Sequence, residues 1–224
     1  MTGKIESVCV GEPVTILHEG TEVFTGIFKY PVEGRVQVTQ TGIVGDGQAD
    51  LTVHGGRDKA VYAYAAKHYP VWAEELGRED LEPAQFGENL AVSGIDEDDV
   101  RVGDRFGFGS VVAVVAQPRL PCSKLGVRMG DAAFPKRFTE AGRPGIYLRV
   151  EQEGETGAGD AFELLEAAGH AITVADLWQV VFGKKTAASS KEAMRCLEVM
   201  PYLDAGWQRR LNASPTNTRK RAKT

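Results

Sequence analysis

The chain has 224 residues, 42% of them hydrophobic and 25% charged, the composition of an ordinary globular protein with one substantial domain and room for a small appendage. Its net charge of −5 speaks against a nucleic-acid grip, which needs a basic face for phosphates, and leaves small molecules or proteins as partners. No apolar run approaches the roughly 20 residues that span a bilayer, and no secretory apolar stretch stands at the N-terminus, so a cytoplasmic location is expected.

In chain order, short β-branched stretches alternate with glycine turns, the pattern of a mostly antiparallel β domain. Strands are predicted over Ile5 to Val10, Val14 to Leu17, Glu22 to Phe24 and Arg35 to Thr39. A helix is predicted from Asp58 through Ala66, continuing past Pro70 toward Leu76, followed by a strand over Asn89 to Val92. The acidic cluster Asp96 to Asp99 reads as a solvated loop. The run within Ser110 to Ala116 is apolar on both faces and should cross the middle of the core. A second helix is expected around Ala132 to Ala141, then a strand over Ile146 to Glu151. Both helices contain a proline able to break or bend them. The fold class is α+β, built on a curled or barrel-like sheet.

After Glu166 the alternation stops, and three amphipathic segments follow: Thr173 to Phe182, Ser189 to Met200 and Asp204 to Leu211. Thr173 and Asp204 are good N-caps, and Ser189 or Ser190 can cap the middle segment. The apolar stripes, with Leu177, Trp178, Met194, Leu197 and Trp207, predict a three-helix unit that docks on the β domain or on a second copy in a homodimer. The division is therefore 1–168 for the β domain, 169–213 for the helices and 214–224 for a basic, disordered tail.

Chemistry concentrates in a few places. Cys9, Cys122 and Cys196 are isolated, so neither a disulfide framework nor a Cys-x-x-Cys zinc site is expected. Cys122 differs in its setting. Pro118 and Pro121 stiffen Gln117 to Lys124, and Arg119 and Lys124, where they lie near in space as well as in sequence, favour a thiolate, a nucleophile or soft metal ligand; the alternative is an inert buried cysteine. Upstream, His54, Gly55, Gly56, Arg57 and Lys59 follow a predicted strand and open a predicted helix. They read either as a cradle in which backbone amides and cations meet an oxyanion or as a tight turn with solvated charges. His54 taken alone is a hydrogen-bonding histidine rather than a metal ligand. Asn89, beside Gly87 and Glu88, can bond an amide edge or phosphate, and Thr25 and Lys29 offer a further hydroxyl and cation.

Three of these stretches together resemble a known family: His54-Gly55-Gly56 with Asp58-Lys59-Ala60-Val61, then Gly87-Glu88-Asn89-Leu90, then Gln117-Pro118-Arg119-x-Pro121-Cys122-x-Lys124-Leu125. In that order they are similar to the MOSC domain, named for the C-terminal domain of molybdenum cofactor sulfurase, and to its YiiM-like branch, which also carries three C-terminal helices. The resemblance implies a β-barrel binding the molybdenum cofactor (molybdopterin with molybdenum), with Cys122 as a metal ligand and catalytic residue. Thr25, Lys29, His54, Gly55, Gly56, Arg57, Lys59, Asn89, Gln117, Arg119 and Lys124 would line the cofactor. The activity implied is reduction of N-hydroxylated compounds, such as hydroxylaminopurines, to amines. With neither a dinucleotide fingerprint nor an iron–sulfur cysteine set, electrons are expected from a separate reductase. A second reading makes the chain a cofactor or sulfur carrier without turnover. A third makes it a barrel holding another phosphorylated ligand.

Overall fold

The computed structural model describes residues 1–52, 54–183 and 189–213. Val53, the basic stretch 214–224 and the side chains of Ser189 and Ser190, proposed as caps, lie outside that description.

The first strands are β1 (Thr2–Val10), β2 (Val14–His18), β3 (Thr21–Thr25), β4 (Tyr30–Pro31), β5 (Arg35–Thr39) and β6 (Gly42–Ile43). The middle of the chain supplies β7 (Val61–Ala65), helix α1 (His68–Leu76), β8 (Leu90–Ser93), β9 (Arg105–Phe108) and β10 (Val111–Pro118). Then come helices α2 (Ser123–Met129) and α3 (Phe134–Ala141), followed by strands β11 (Ile146–Gln152), β12 (Gly154–Gly157) and β13 (Ala161–Glu166). The main sheet runs β13-β9-β10-β11-β7-β8-β1-β4, and β1 pairs back onto β13, closing a seven-stranded barrel with β4 outside it. Closure removes the unpaired edge that an open sheet presents. The expected α+β barrel is therefore the fold observed.

Within the closed ring, only β7 and β8 run parallel. A parallel pair needs a crossover, and α1 with the loop after it supplies one. This is where the sequence reading fails. The helix expected from Asp58 through Ala66 is instead a 3-10 turn at Arg57–Lys59 followed by β7. Every residue of β7 is buried, so the period-2 alternation that marks a half-exposed strand is erased. Helix α1 begins later, at His68, with Pro70 in its first turn, where the ring displaces no intrahelical hydrogen bond. Pro135 occupies the same kind of position in α3.

The central strand β10 is buried at every position but Val112 and pairs with β9 on one side and β11 on the other. A register shift between Val115 and Gln117 brings Gln117 opposite Tyr147 of β11, where the strand leaves the barrel. A second apolar cluster, including Tyr64, Trp72, Phe86, Leu125, Phe134 and Phe138, packs α1, α2 and α3 against the outside.

The last three helices are α4 (Val174–Phe182), α5 (Ser189–Arg195) and α6 (Ala205–Ala213). Thr173 closes a reciprocal capping box with Asp176, and Asp204 caps α6 by accepting the Trp207 N–H at 2.8 Å. The middle helix stops at Arg195 and tightens to a 3-10 segment over Cys196–Tyr202 that contains Pro201, which shortens the predicted Ser189 to Met200 helix. Leu177, Trp178, Val199, Trp207 and Leu211 are buried in the same cluster as the barrel core. Trp207 donates its indole N–H to the Pro118 carbonyl at 2.9 Å, so α6 holds the end of β10 directly before Cys122. Among the described residues no helix is long and apolar enough to cross a membrane.

Candidate functional site

Where β10 ends, the chain turns through Arg119, Leu120 and Pro121 and presents Cys122 as the N-cap of α2. Cys122 lies on the wall of a cavity of about 380 Å³, a size suited to a small ligand. Each wall comes from a different part of the fold. Strand β3 contributes Phe24 and Thr25, the segment after β6 contributes Gln48, Asp50 and His54, β7 and β11 contribute Tyr62 and Tyr147, and the Cys122 turn contributes Arg119 and Lys124. Lys29 and Gly87 complete it. At Gly87 φ is +81°, and a Cβ there would lie 2.8 Å from the Ile27 side chain, so the backbone can pass this wall only as glycine.

Burial opposes ionisation of the Cys122 thiol, but a hydrogen bond from His54, the charge of Arg119 and the Lys124 backbone N–H outweigh it, bringing the pKa down to about 7. The other cysteines behave oppositely. Desolvation raises the Cys9 thiol to about 11 and the Cys196 thiol to about 12. Only Cys122 therefore carries substantial thiolate near neutrality. Among the described residues no group of three or more His, Cys, Asp or Glu side chains converges to hold a bare metal ion.

Arg119 is the strongest electrostatic feature. It is 5% exposed, with its guanidinium 5.2 Å from the Tyr62 ring centroid and 5.5 Å from that of Phe138. It hydrogen-bonds Tyr147, yet Nη1 has no partner and no carboxylate pairs with it among the described residues. A buried, half-satisfied guanidinium facing a cavity calls for an anion. Lys29, also buried, is instead paired with Asp46, whose second oxygen accepts from Asn89 at 3.0 Å.

Of the residues singled out in sequence, Thr25, Lys29, His54, Arg119, Cys122 and Lys124 meet around this cavity. Others serve elsewhere. Both ends of the Asn89 amide are used within the fold, accepting from the Tyr62 N–H at 3.1 Å and donating to Asp46 and the Cys9 carbonyl. Gln117 grips the start of α6, donating to Asp204 at 3.1 Å and accepting the Asp204 N–H at 2.9 Å. Gly55 and Gly56 take positive φ values of 86° and 80°, but they lead into the 3-10 turn and strand rather than a helix. The expected helix N-terminus is thus absent from the cradle. Arg57 is exposed, and Lys59 reaches Asp204 at 2.9 Å. Sequence reading missed Tyr62 and Tyr147, which hold Arg119. Neither lies in a local motif; their only signal is aromatic placement on strands.

A second cavity, of about 760 Å³, lies against the C-terminal helices and shares His54, Cys122 and Tyr147 with the first. Cys122 is therefore in the partition between two chambers.

The fold and site define a barrel-type protein with a cavity of small-ligand size, in which one activated thiolate stands beside a buried cation that no carboxylate pairs among the described residues. The chain belongs to the MOSC family: the MOSC domain model matches residues 50–163, the span that contains β7 to β11 and Cys122. It is similar to YflK of Bacillus subtilis (strain 168), with 42% identity over 76% of this chain and 77% of that one. It is also similar to a protein named "Reductase" from Gibberella moniliformis (strain M3125 / FGSC 7600), at 37% identity over 66% of this chain but 27% of that longer protein. The crystal structure of YiiM from Geobacillus stearothermophilus superposes with a TM-score of 0.74 at 34% identity, covering 93% of this chain and 99% of that one. This is a YiiM-like MOSC protein.

Proposed function

We propose that the first cavity binds the molybdenum cofactor, with Cys122 as the thiolate ligand, and that the protein reduces N-hydroxylated compounds to amines. One observation carries the reading: an activated thiolate and the unsatisfied Nη1 of Arg119 line the same cavity. The residues fit the group. Molybdopterin ends in a phosphate, an anion for Arg119 and Lys124, and its own dithiolene holds the metal, so a single protein sulfur suffices. MOSC membership and the fungal relative named a reductase support oxidoreductase chemistry.

When bound, the cofactor supplies a two-electron redox centre. The protein's own contributions are narrower. His54 holds the Cys122 sulfur as thiolate, and Tyr62 and Tyr147 fix the guanidinium of Arg119. The overall balance is R–NHOH plus two electrons and two protons giving R–NH2 and water. The electrons come from a separate reductase protein.

Molybdenum quantification on protein expressed in cells that make molybdopterin tests this. Wild type should hold about one metal per chain and Cys122→Ser markedly less. Equal retention by both would remove Cys122 as a ligand. Loaded protein that never reduces a hydroxylamine with an artificial donor would make the chain a carrier.

A further inference from the structure

The second chamber has a character of its own. In a chain of net charge −5, its wall carries Lys59, Arg209 and Arg210 against one carboxylate among the described residues, Asp204, which Lys59 pairs at 2.9 Å. Arg209 and Arg210 lie on α6 with exposed side chains; Arg210 is 6.0 Å from the Phe182 ring centroid. The same chamber is lined by Cys122, and Leu120 and Tyr147 add apolar and aromatic surface to its wall. It is thus a chamber whose wall combines a reactive sulfur, apolar and aromatic surface, and cations.

We infer that this second chamber receives the substrate, and that Arg209 and Arg210 select N-hydroxylated aromatic compounds bearing a phosphate, so that a hydroxylaminopurine is taken as its nucleotide in preference to the free base or nucleoside. The inference rests on the proposed reduction at Cys122 and adds the substrate class. The base lies toward Leu120 and Tyr147, its N-hydroxy group toward Cys122, and its phosphate toward Arg209 and Arg210. Arginine suits this task because its planar fork meets phosphate oxygens in pairs. The first cavity keeps its own cation, Arg119, so the two chambers divide two anions between them, the cofactor phosphate and the substrate phosphate.

Product-side binding tests this without turnover. Adenosine monophosphate and adenosine are titrated calorimetrically into the full-length wild-type chain and into Arg209→Ala/Arg210→Ala, whose exposed side chains can be removed without opening the core. Wild type should bind the nucleotide at least about tenfold more tightly than the nucleoside, with that preference weakening as salt rises. In the double variant the preference should fall to about twofold or less, with adenosine affinity unchanged. Equal affinities in wild type, no nucleotide binding, or a preference that survives the double substitution would each overturn the assignment. Because the readout is equilibrium binding, a negative result here leaves the molybdenum measurement standing, and loss of molybdenum binding leaves this titration interpretable.

Discussion

At the scale of the residue, the state of Cys122 is set by groups from two separate stretches of chain. The thiol is substantially buried, which by itself would raise its pKa, as it does for Cys9 and Cys196. His54, the Arg119 charge and the Lys124 N–H reverse that outcome. Replacing Arg119 with Met should therefore raise the Cys122 pKa from about 7 toward the 9.0 of an unperturbed thiol, and His54→Ala should do the same. The pH profile of alkylation rate reads this directly, since only the thiolate reacts. A midpoint left near 7 in both variants would show that neither group stabilises the anion. Cys122, Arg119 and Lys124 were legible in sequence because they fall within one rigid eight-residue stretch, Gln117 to Lys124. The tyrosines that hold Arg119 were not, since Tyr62 and Tyr147 meet only through the β7–β11 pairing, 85 positions apart. Lys59 and Gln117 show what a motif leaves out. Their motif positions suggested ligand contacts, whereas the fold sets both against Asp204.

At the scale of the element, the decisive contact is α6 on β10. The Trp207 indole is fully buried and bonds the Pro118 carbonyl, while Asp204 joins Gln117 by two hydrogen bonds. These attachments lie within five residues of Cys122 in the chain, so the helical segment acts as a brace for the site. Trp207→Ala should cost about 3–5 kcal/mol, combining lost apolar contact, a residual cavity and an unpaired carbonyl. Urea denaturation measures the loss, and a change below about 1 kcal/mol would show that α6 is only loosely applied. Thr173→Ala removes one side of a capping box and should cost about 1 kcal/mol by the same assay. Caps such as Thr173 and Asp204 could be read from sequence because a cap is a local relation. Strand β7 could not, because its complete burial depends on α1 and the neighbouring strands.

At the scale of the whole molecule, two buried carboxylates tie the helices to the barrel and give opposite pH responses. Glu88 is fully buried, and although it accepts the Ala84 and Phe86 N–H groups and the Tyr69 hydroxyl, burial lifts its pKa. Its ionised form therefore weighs against folding as pH rises. Glu97 is the other case. Burial opposes its charge, but the His68 imidazole at 2.7 Å and the Gly145 N–H at 2.9 Å hold its carboxyl below the ordinary value of 4.5. His68 opens α1 and Gly145 precedes β11, so this carboxylate clasps the crossover helix to the barrel. A carboxyl whose pKa is depressed by folding contributes stability that is fully present above 4.5 and is lost as pH falls through the folded value. Glu97→Gln should accordingly cost about 1–3 kcal/mol near neutral pH, since it removes the buried carboxylate that bonds the His68 imidazole and the Gly145 N–H. The penalty relative to wild type should shrink as the pH is taken below 4.5, because the wild-type carboxyl is then itself protonated. Thermal melts of both proteins across that range decide the matter. A penalty that stays constant with pH would mean that the clasp works by shape and hydrogen bonding alone, without the charge of Glu97.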